Sequence, residues 1–236
     1  MNTQKLSLWA GISYLLIIAT GITAEMGVRA SIKVPDDAQA TMMNLIAAES
    51  TFRLAVVADL IMIVCDVIVA LLFFLLLKPV NSPLASLAAI FRLMQATFLS
   101  LNLMHLFSAI ALVQPGTVTA LGQEVAAAQM MMALNAHALG YSIGLVFFGL
   151  SLLVLGYLMI KSTYIPRFLG YVMLIVSAGY LIDSGAQILM TQYADFAHLF
   201  ALVVFVPALL GELTLAIWLV FRGVSVPDHG RMQAQA

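Results

Sequence analysis

Six stretches of this chain are apolar over the length a helix needs to cross a lipid bilayer, and nothing else in it constrains the fold as strongly. A hydrocarbon core about 30 Å thick takes roughly 20 residues of helix. The stretches are residues 6–25, 54–77, 83–113, 126–160, 166–189 and 196–221. Within lipid, backbone N–H and C=O groups must be satisfied internally, so each stretch reads as an α-helix. Composition agrees: of 236 residues 63% are hydrophobic and only 9% charged, too few charges to clothe an aqueous surface. The expected fold is all-α, an integral membrane bundle of six transmembrane helices over residues 1–222. Residues 223–236, rich in Gly, Pro, Gln and Ala, are expected to be a disordered cytoplasmic tail.

Two stretches need comment. Lys5 followed by an apolar run resembles the start of a signal peptide, but the run continues for about 20 residues and no A-x-A site closes it. It is expected to stay as the first span and signal anchor. The fourth stretch would extend some 50 Å as one helix. Its first part, residues 123–134, is therefore expected to be an interfacial segment or a protruding turn.

Basic residues set the orientation. Lys5, Lys78, Lys161, Arg167, Arg222 and Arg231 lie at the N-terminus, the 2–3 turn, the 4–5 turn and the C-terminus. The 3–4 and 5–6 connections have no Lys or Arg. The positive-inside rule then predicts N-in/C-in, with Arg29, Lys33 and Arg53 of the 1–2 loop counting the other way. The two basic turns, Lys78-Pro-Val-Asn-Ser-Pro83 and Lys161-Ser-Thr-Tyr-Ile-Pro166, are short enough only for antiparallel hairpins. Each sets a Pro at the start of the next helix, where its missing N–H costs nothing. In the 1–2 loop, Asp36 and Asp37 can cap a short interfacial helix that ends near Glu49 on the outer face.

Some function classes drop out. The net charge is −1 and no face is strongly basic, so no nucleic-acid partner is expected. The single Cys65 excludes an internal disulfide and a thiolate metal cluster, and reads as a small core residue. There is no G-x-S-x-G for a serine nucleophile. Gly140, Gly144, Gly149 and Gly156 read as close helix contacts, and Met130, Met131 and Met132 as packing.

Ionisable residues inside lipid are costly and turn toward other helices. Counted from the cytoplasmic helix ends, Asp66 is roughly 18 Å up, Arg92 roughly 14 Å and Glu212 roughly 15 Å. The three are expected to form one mid-membrane cluster. Arg92 needs an acid partner, and two acids against one base leave a carboxyl over. That surplus group suits a proton or cation site, or the whole cluster is a structural ion-pair network. A second polar level falls at about 26 to 36 Å. It holds Asp59, Asn102, His105, His137, Tyr141 and Asp183, with His198 also near that level. Asp59 and Asp66, seven apart, share one helix face. Glu25, Arg29, Glu49 and Arg53 could form a charged lid. The expected picture is a cavity open to the outside and floored by the mid-membrane charges.

Several motifs together resemble a known family. They are Glu49-Ser-x-x-Arg53, Asp59-Leu-Ile-Met-x-x-Cys65-Asp66, Phe91-Arg92-Leu-x-Gln95-Ala96, His137-Ala-x-Gly140-Tyr141-x-x-Gly144, Gly179-Tyr180-Leu-x-Asp183-Ser184 and Gly211-Glu212-Leu. The chain resembles, from about residue 7 to 222, the bacterial membrane family catalogued as domain of unknown function 4386. The resemblance implies a multi-pass protein of the bacterial cytoplasmic (inner) membrane and implies no activity.

Three functions follow as expectations. The first is binding or transport of a small solute, proton or cation at Asp66, Arg92 and Glu212 below the polar cavity. Mid-depth sites are usual in transporters, and at this chain length transport could require a homodimer. The second is an intramembrane hydrolase, with zinc on His105, His137, Asp59 and Asp183, although no H-E-x-x-H or other local ligand pair occurs. The third is an accessory membrane protein whose polar levels are structural. The lipid bilayer is the one partner all three share.

Overall fold

The computed structural model describes residues 2–224. Most of the expected tail, and Arg231 with it, lies outside the described residues. Those described form eight helices and no strand. They are α1 (Thr3–Ile32), α2 (Ala38–Ala47), α3 (Glu49–Leu77), α4 (Ser82–Leu112), α5 (Pro115–Leu121), α6 (Gln123–Lys161), α7 (Arg167–Leu189) and α8, which begins at Tyr193 and ends at Phe221. Six of them, α1, α3, α4, α6, α7 and α8, are long and apolar enough to cross a membrane. The protein is a multi-pass membrane bundle.

Short 2–3, 4–5 and 5–6 connections force antiparallel neighbours, while the 1–2 and 3–4 connections carry the short helices α2 and α5. Each span packs on its chain neighbours, and α8 returns to α1, so the six close into a ring in chain order. Side chains turned outward from the ring, such as Leu54, Val64, Leu71, Leu101 and Ile175, are large, apolar and exposed, a surface that only lipid can cover. The start of α1 and the end of α8 meet at one end of the ring. Ser7 donates to the Leu219 carbonyl at 3.0 Å. Gly223, at φ +65°, turns the chain back beside Gln4 and Ser7, and Val224 is buried there. The first two residues of the expected tail are therefore packed.

The helix ends follow local chemistry. Asp37 accepts from Ala40 N–H at 2.8 Å to cap α2, as the Asp36-Asp37 pair predicts. Asn81 caps α4 at Leu84 N–H, 3.0 Å, with Pro83 in the first turn. At the 4–5 turn Pro166 stands just before α7. Tyr164 of that turn donates to the Leu76 carbonyl at 2.6 Å, tying it to the end of α3. Burial pushes the Tyr164 hydroxyl up to about 12.

One expectation is corrected. Residues 123–134 form no separate interfacial segment, because α6 runs unbroken for 39 residues, about 58 Å. The break comes earlier, where Gly122 at φ +79° makes the corner between α5 and α6. The protruding turns of α6 survive because α2 packs along them, which buries Ala126, Ala127 and Met130 of α6 and Met42 and Leu45 of α2. Met132, by contrast, is exposed.

Close approach within the ring depends on glycine at a few points. A Cβ on Gly170 would sit 2.6 Å from the Gly156 carbonyl oxygen, and one on Gly11 would sit 2.8 Å from that of Ala216. These points mark where α7 crosses α6 and where α8 crosses α1. Gly156 was legible as a packing residue; its partner Gly170 was not.

Candidate functional site

The mid-membrane level is built on α3 and α4. Arg92 donates from Nε (3.0 Å) and Nη2 (2.6 Å) to Asp66 Oδ1, and Gln95 Nε2 donates to Asp66 Oδ2 at 3.3 Å. Gln95 reaches the same carboxylate because residues three apart share a helix face. The guanidinium lies 5.0 Å from the Tyr14 ring centroid and 4.8 Å from that of Phe148. Both aromatic rings are thus within reach of the cation–π attraction. Arg92 and Asp66 side chains are each 1% exposed. Arg92 Nη1, Gln95 Oε1 and the Tyr14 hydroxyl make no hydrogen bond to protein.

Glu212 is buried at this level but does not join the pair. It accepts from the Tyr180 hydroxyl at 2.7 Å and makes no ion pair among the described residues. Within the expected three-charge cluster Arg92 pairs with Asp66, and Glu212 stands beside that pair on a hydrogen bond from Tyr180 rather than in an ion pair. Depth counting gave the common level but not the direction in which each helix turns its side chains. Glu212 on α8 is turned to α7, while Arg92 is satisfied by its neighbour α3.

The outer level divides in the same way. Residues Thr23–Arg29 of α1 form a wider π-helical turn, a local form common at functional sites. From it Arg29 donates to both oxygens of Asp59, at 2.6 and 3.2 Å, and through Nε to Glu25 at 2.7 Å. Arg29 therefore reaches into the bundle and is buried, whereas Glu25 is 62% exposed. Glu49 and Arg53 pair with each other along α3 at 2.7 Å. The lid of four is thus two separate pairs, and of the four only Glu25 and Arg29 line the cavity described below.

Across the ring, the Asn102 amide donates to the His137 carbonyl at 2.9 Å and approaches His137 Nδ1 at 3.1 Å. Gly140 makes room for it, since any Cβ there would collide with the Asn102 side chain. The Tyr141 hydroxyl lies 4.0 Å from Met62 Sδ, on α3 between Asp59 and Asp66, and so stands between the two levels. Asp183 accepts from Gln187 Nε2 at 3.1 Å and from the Tyr193 hydroxyl at 2.7 Å. Ser142 donates to Gln187. His105 is exposed on an outer groove between α4 and α6, away from the bundle interior.

The proposed zinc ligands are not assembled. Asp59 is held by Arg29, His137 by Asn102, Asp183 by Tyr193 and Gln187, and His105 faces outward. Among the described residues no three His, Cys, Asp or Glu side chains come together to hold a metal ion.

The outer level does enclose a cavity of about 300 Å³. Exposed Glu25 and Lys33 mark its rim, with Arg29 beside them. His137, Tyr141 and Ser142 of α6 and Gln187 of α7 supply uncharged polar groups, and Phe52, Leu106, Leu134 and Leu145 supply apolar wall. Sequence reasoning placed Arg29, His137 and Tyr141 here but missed Ser142, Gln187 and the apolar residues. Gln187 carried a usable signal, since it lies four residues after Asp183 on one helix face. The apolar residues carried none, because a cavity-facing Leu and a lipid-facing Leu are the same in sequence.

An uncharacterized protein of Archaeoglobus fulgidus is 28% identical to this chain over 169 residues, which make up 72% of this chain and 83% of that protein. No solved structure matches the chain. The family described as a domain of unknown function, DUF4386, matches residues 9–223, a range that reaches from the first span through the last. This six-span chain belongs to that family.

Proposed function

We propose that the protein binds a small solute in the outer cavity, and that the Asp66–Arg92 pair is a fixed floor rather than the binding site. The observation that carries this reading is the cavity itself. Its volume of about 300 Å³ sits at the lower end of the range for small-molecule sites, and its mostly apolar wall bears a few converging polar groups. The floor supports the reading from below, because the Asp66 and Arg92 side chains hold each other and are each 1% exposed. Scattered His and Asp residues give the hydrolase reading no comparable support. The basic turns support an N-in/C-in orientation in the bacterial cytoplasmic membrane, so the cavity faces outward.

Ala138 lines the cavity and is exposed, which makes it a direct reporter. In protein carrying Cys65→Ala, the variant Ala138→Cys should react with a membrane-impermeant maleimide added outside intact cells. A cysteine at Ala89, which borders the far side of Arg92, should stay unlabelled. Reaction at position 138 only after the membrane is opened would reverse the orientation. No reaction in either case would remove the cavity as an entry point.

A further inference from the structure

The charges around the outer cavity restrict what it can hold. Arg29 is the one buried cation on its wall, and its Nη1, Nη2 and Nε are all engaged by Asp59 and Glu25. Two carboxylates facing one guanidinium leave one negative charge over, and the single ammonium of Lys33 at the rim balances it. Lys33 is itself turned to Asn135, 2.8 Å away. Past the rim, His137, Tyr141, Ser142 and Gln187 are the polar groups, and none offers a fixed charge. The Asn102 amide is a donor on its 2.9 Å bond to the His137 carbonyl. His137 Nδ1 lies 3.1 Å from the Asn102 amide and 3.3 Å from the Asn102 backbone carbonyl, so Asn102 occupies that ring nitrogen in either tautomer.

Behind the wall, the Asp183 carboxylate is taken up by Gln187 and the Tyr193 hydroxyl. An ion entering this space would lose its water and meet no uncommitted counter-charge on the cavity wall, which is costly in an apolar surrounding. An uncharged molecule escapes that cost. The uncharged polar groups come from α6 and α7, while Phe52 of α3, Leu106 of α4 and Leu134 and Leu145 of α6 bring apolar surface. A wall with both kinds of surface suits a molecule with a hydrogen-bonding end and a hydrocarbon end. We propose that the cavity is selective for an uncharged amphipathic small molecule, with its hydroxyl or carbonyl end toward Ser142 and Gln187 and its hydrocarbon end toward Phe52 and Leu106. The inference rests on the reading of the cavity as a binding site and adds the chemical class of its ligand.

The test uses full-length protein in lipid nanodiscs and three six-carbon photoprobes, each carrying the same diazirine on an alcohol, a carboxylate or an ammonium. Labelling is mapped by mass spectrometry and expressed as the ratio of the wall residues Phe52, Leu134 and Leu145 to the lipid-facing residues Val64 and Leu71 of α3. This ratio corrects for the different partitioning of the probes into lipid. Ala138→Trp, which fills the cavity, serves as the blocked control. The alcohol should give a ratio at least about tenfold above both ions, equivalent to about 1.4 kcal/mol, and Ala138→Trp should abolish it. An ionic probe that matches or exceeds the alcohol overturns the neutral class but leaves the cavity as a binding site. Wall labelling by all three probes that stays equal in wild type and Ala138→Trp overturns the binding-site reading, and the inference with it.

Discussion

Replacing Arg92 by Met should cost about 3–5 kcal/mol of stability, the largest effect expected of any single substitution here. The variant keeps most of the side-chain length but removes the cation, so Asp66 stays at mid-membrane with only the 3.3 Å bond from Gln95. Tyr14 and Phe148 also lose the guanidinium near their rings. Unfolding in mixed micelles, followed by tryptophan fluorescence or by retention of a fluorescent fusion on heating, reads the loss directly. The informative comparison is the double variant Asp66→Leu with Arg92→Met. Buried ion pairs often do no better than apolar residues of similar volume, so the double variant should recover most of the loss. Three polar atoms at this pair already lack a protein partner, which favours recovery further. A floor that is only structural predicts a double variant that still takes the maleimide at Ala138→Cys. A double variant that folds but closes the outer cavity would show the pair to be coupled to the site above it.

The second large effect is expected at the crossing of α6 and α7. Gly170→Val places a Cβ 2.6 Å from the Gly156 carbonyl oxygen and 2.9 Å from the Ile160 backbone nitrogen. These are backbone atoms within a helix, so no side-chain rotation relieves the contact and the two spans must separate. Overpacking of this kind costs about 1–3 kcal/mol, and the branched side chain places the expectation at the upper end. Gly185→Val on the same helix is the matched control, since a Cβ there meets nothing within 4 Å. It should change stability by no more than about 0.5 kcal/mol. Equal losses at both positions would mean that helix propensity, not the crossing, sets the cost.

The two predictions differ in how far the sequence foretold them. Asp66 and Arg92 were legible as partners because charges in lipid must pair and helical rise puts both at one depth. Glu212 satisfied the same count yet bonds Tyr180, because depth along an axis says nothing about rotation around it. The same limit separates His105 from His137. Both fall at the outer level, but one faces out of the bundle and the other is buried against Asn102. The long fourth stretch met a different limit. Length alone left an interfacial segment or a protruding turn open for residues 123–134, and α2, which covers these turns of α6, makes an unbroken protruding helix tenable.

By itself the sequence determined the solvent and the spans. Those follow from transfer energy and helical rise, both of which are local or additive along the chain. It also determined that a few charges must lie inside the bundle and at which depths. The tertiary structure alone decided which of those charges meet, where two helices touch at Gly156 and Gly170, and that the outer level encloses a cavity. These depend on the rotation of each helix about its axis, which is set by the packing of all six against one another.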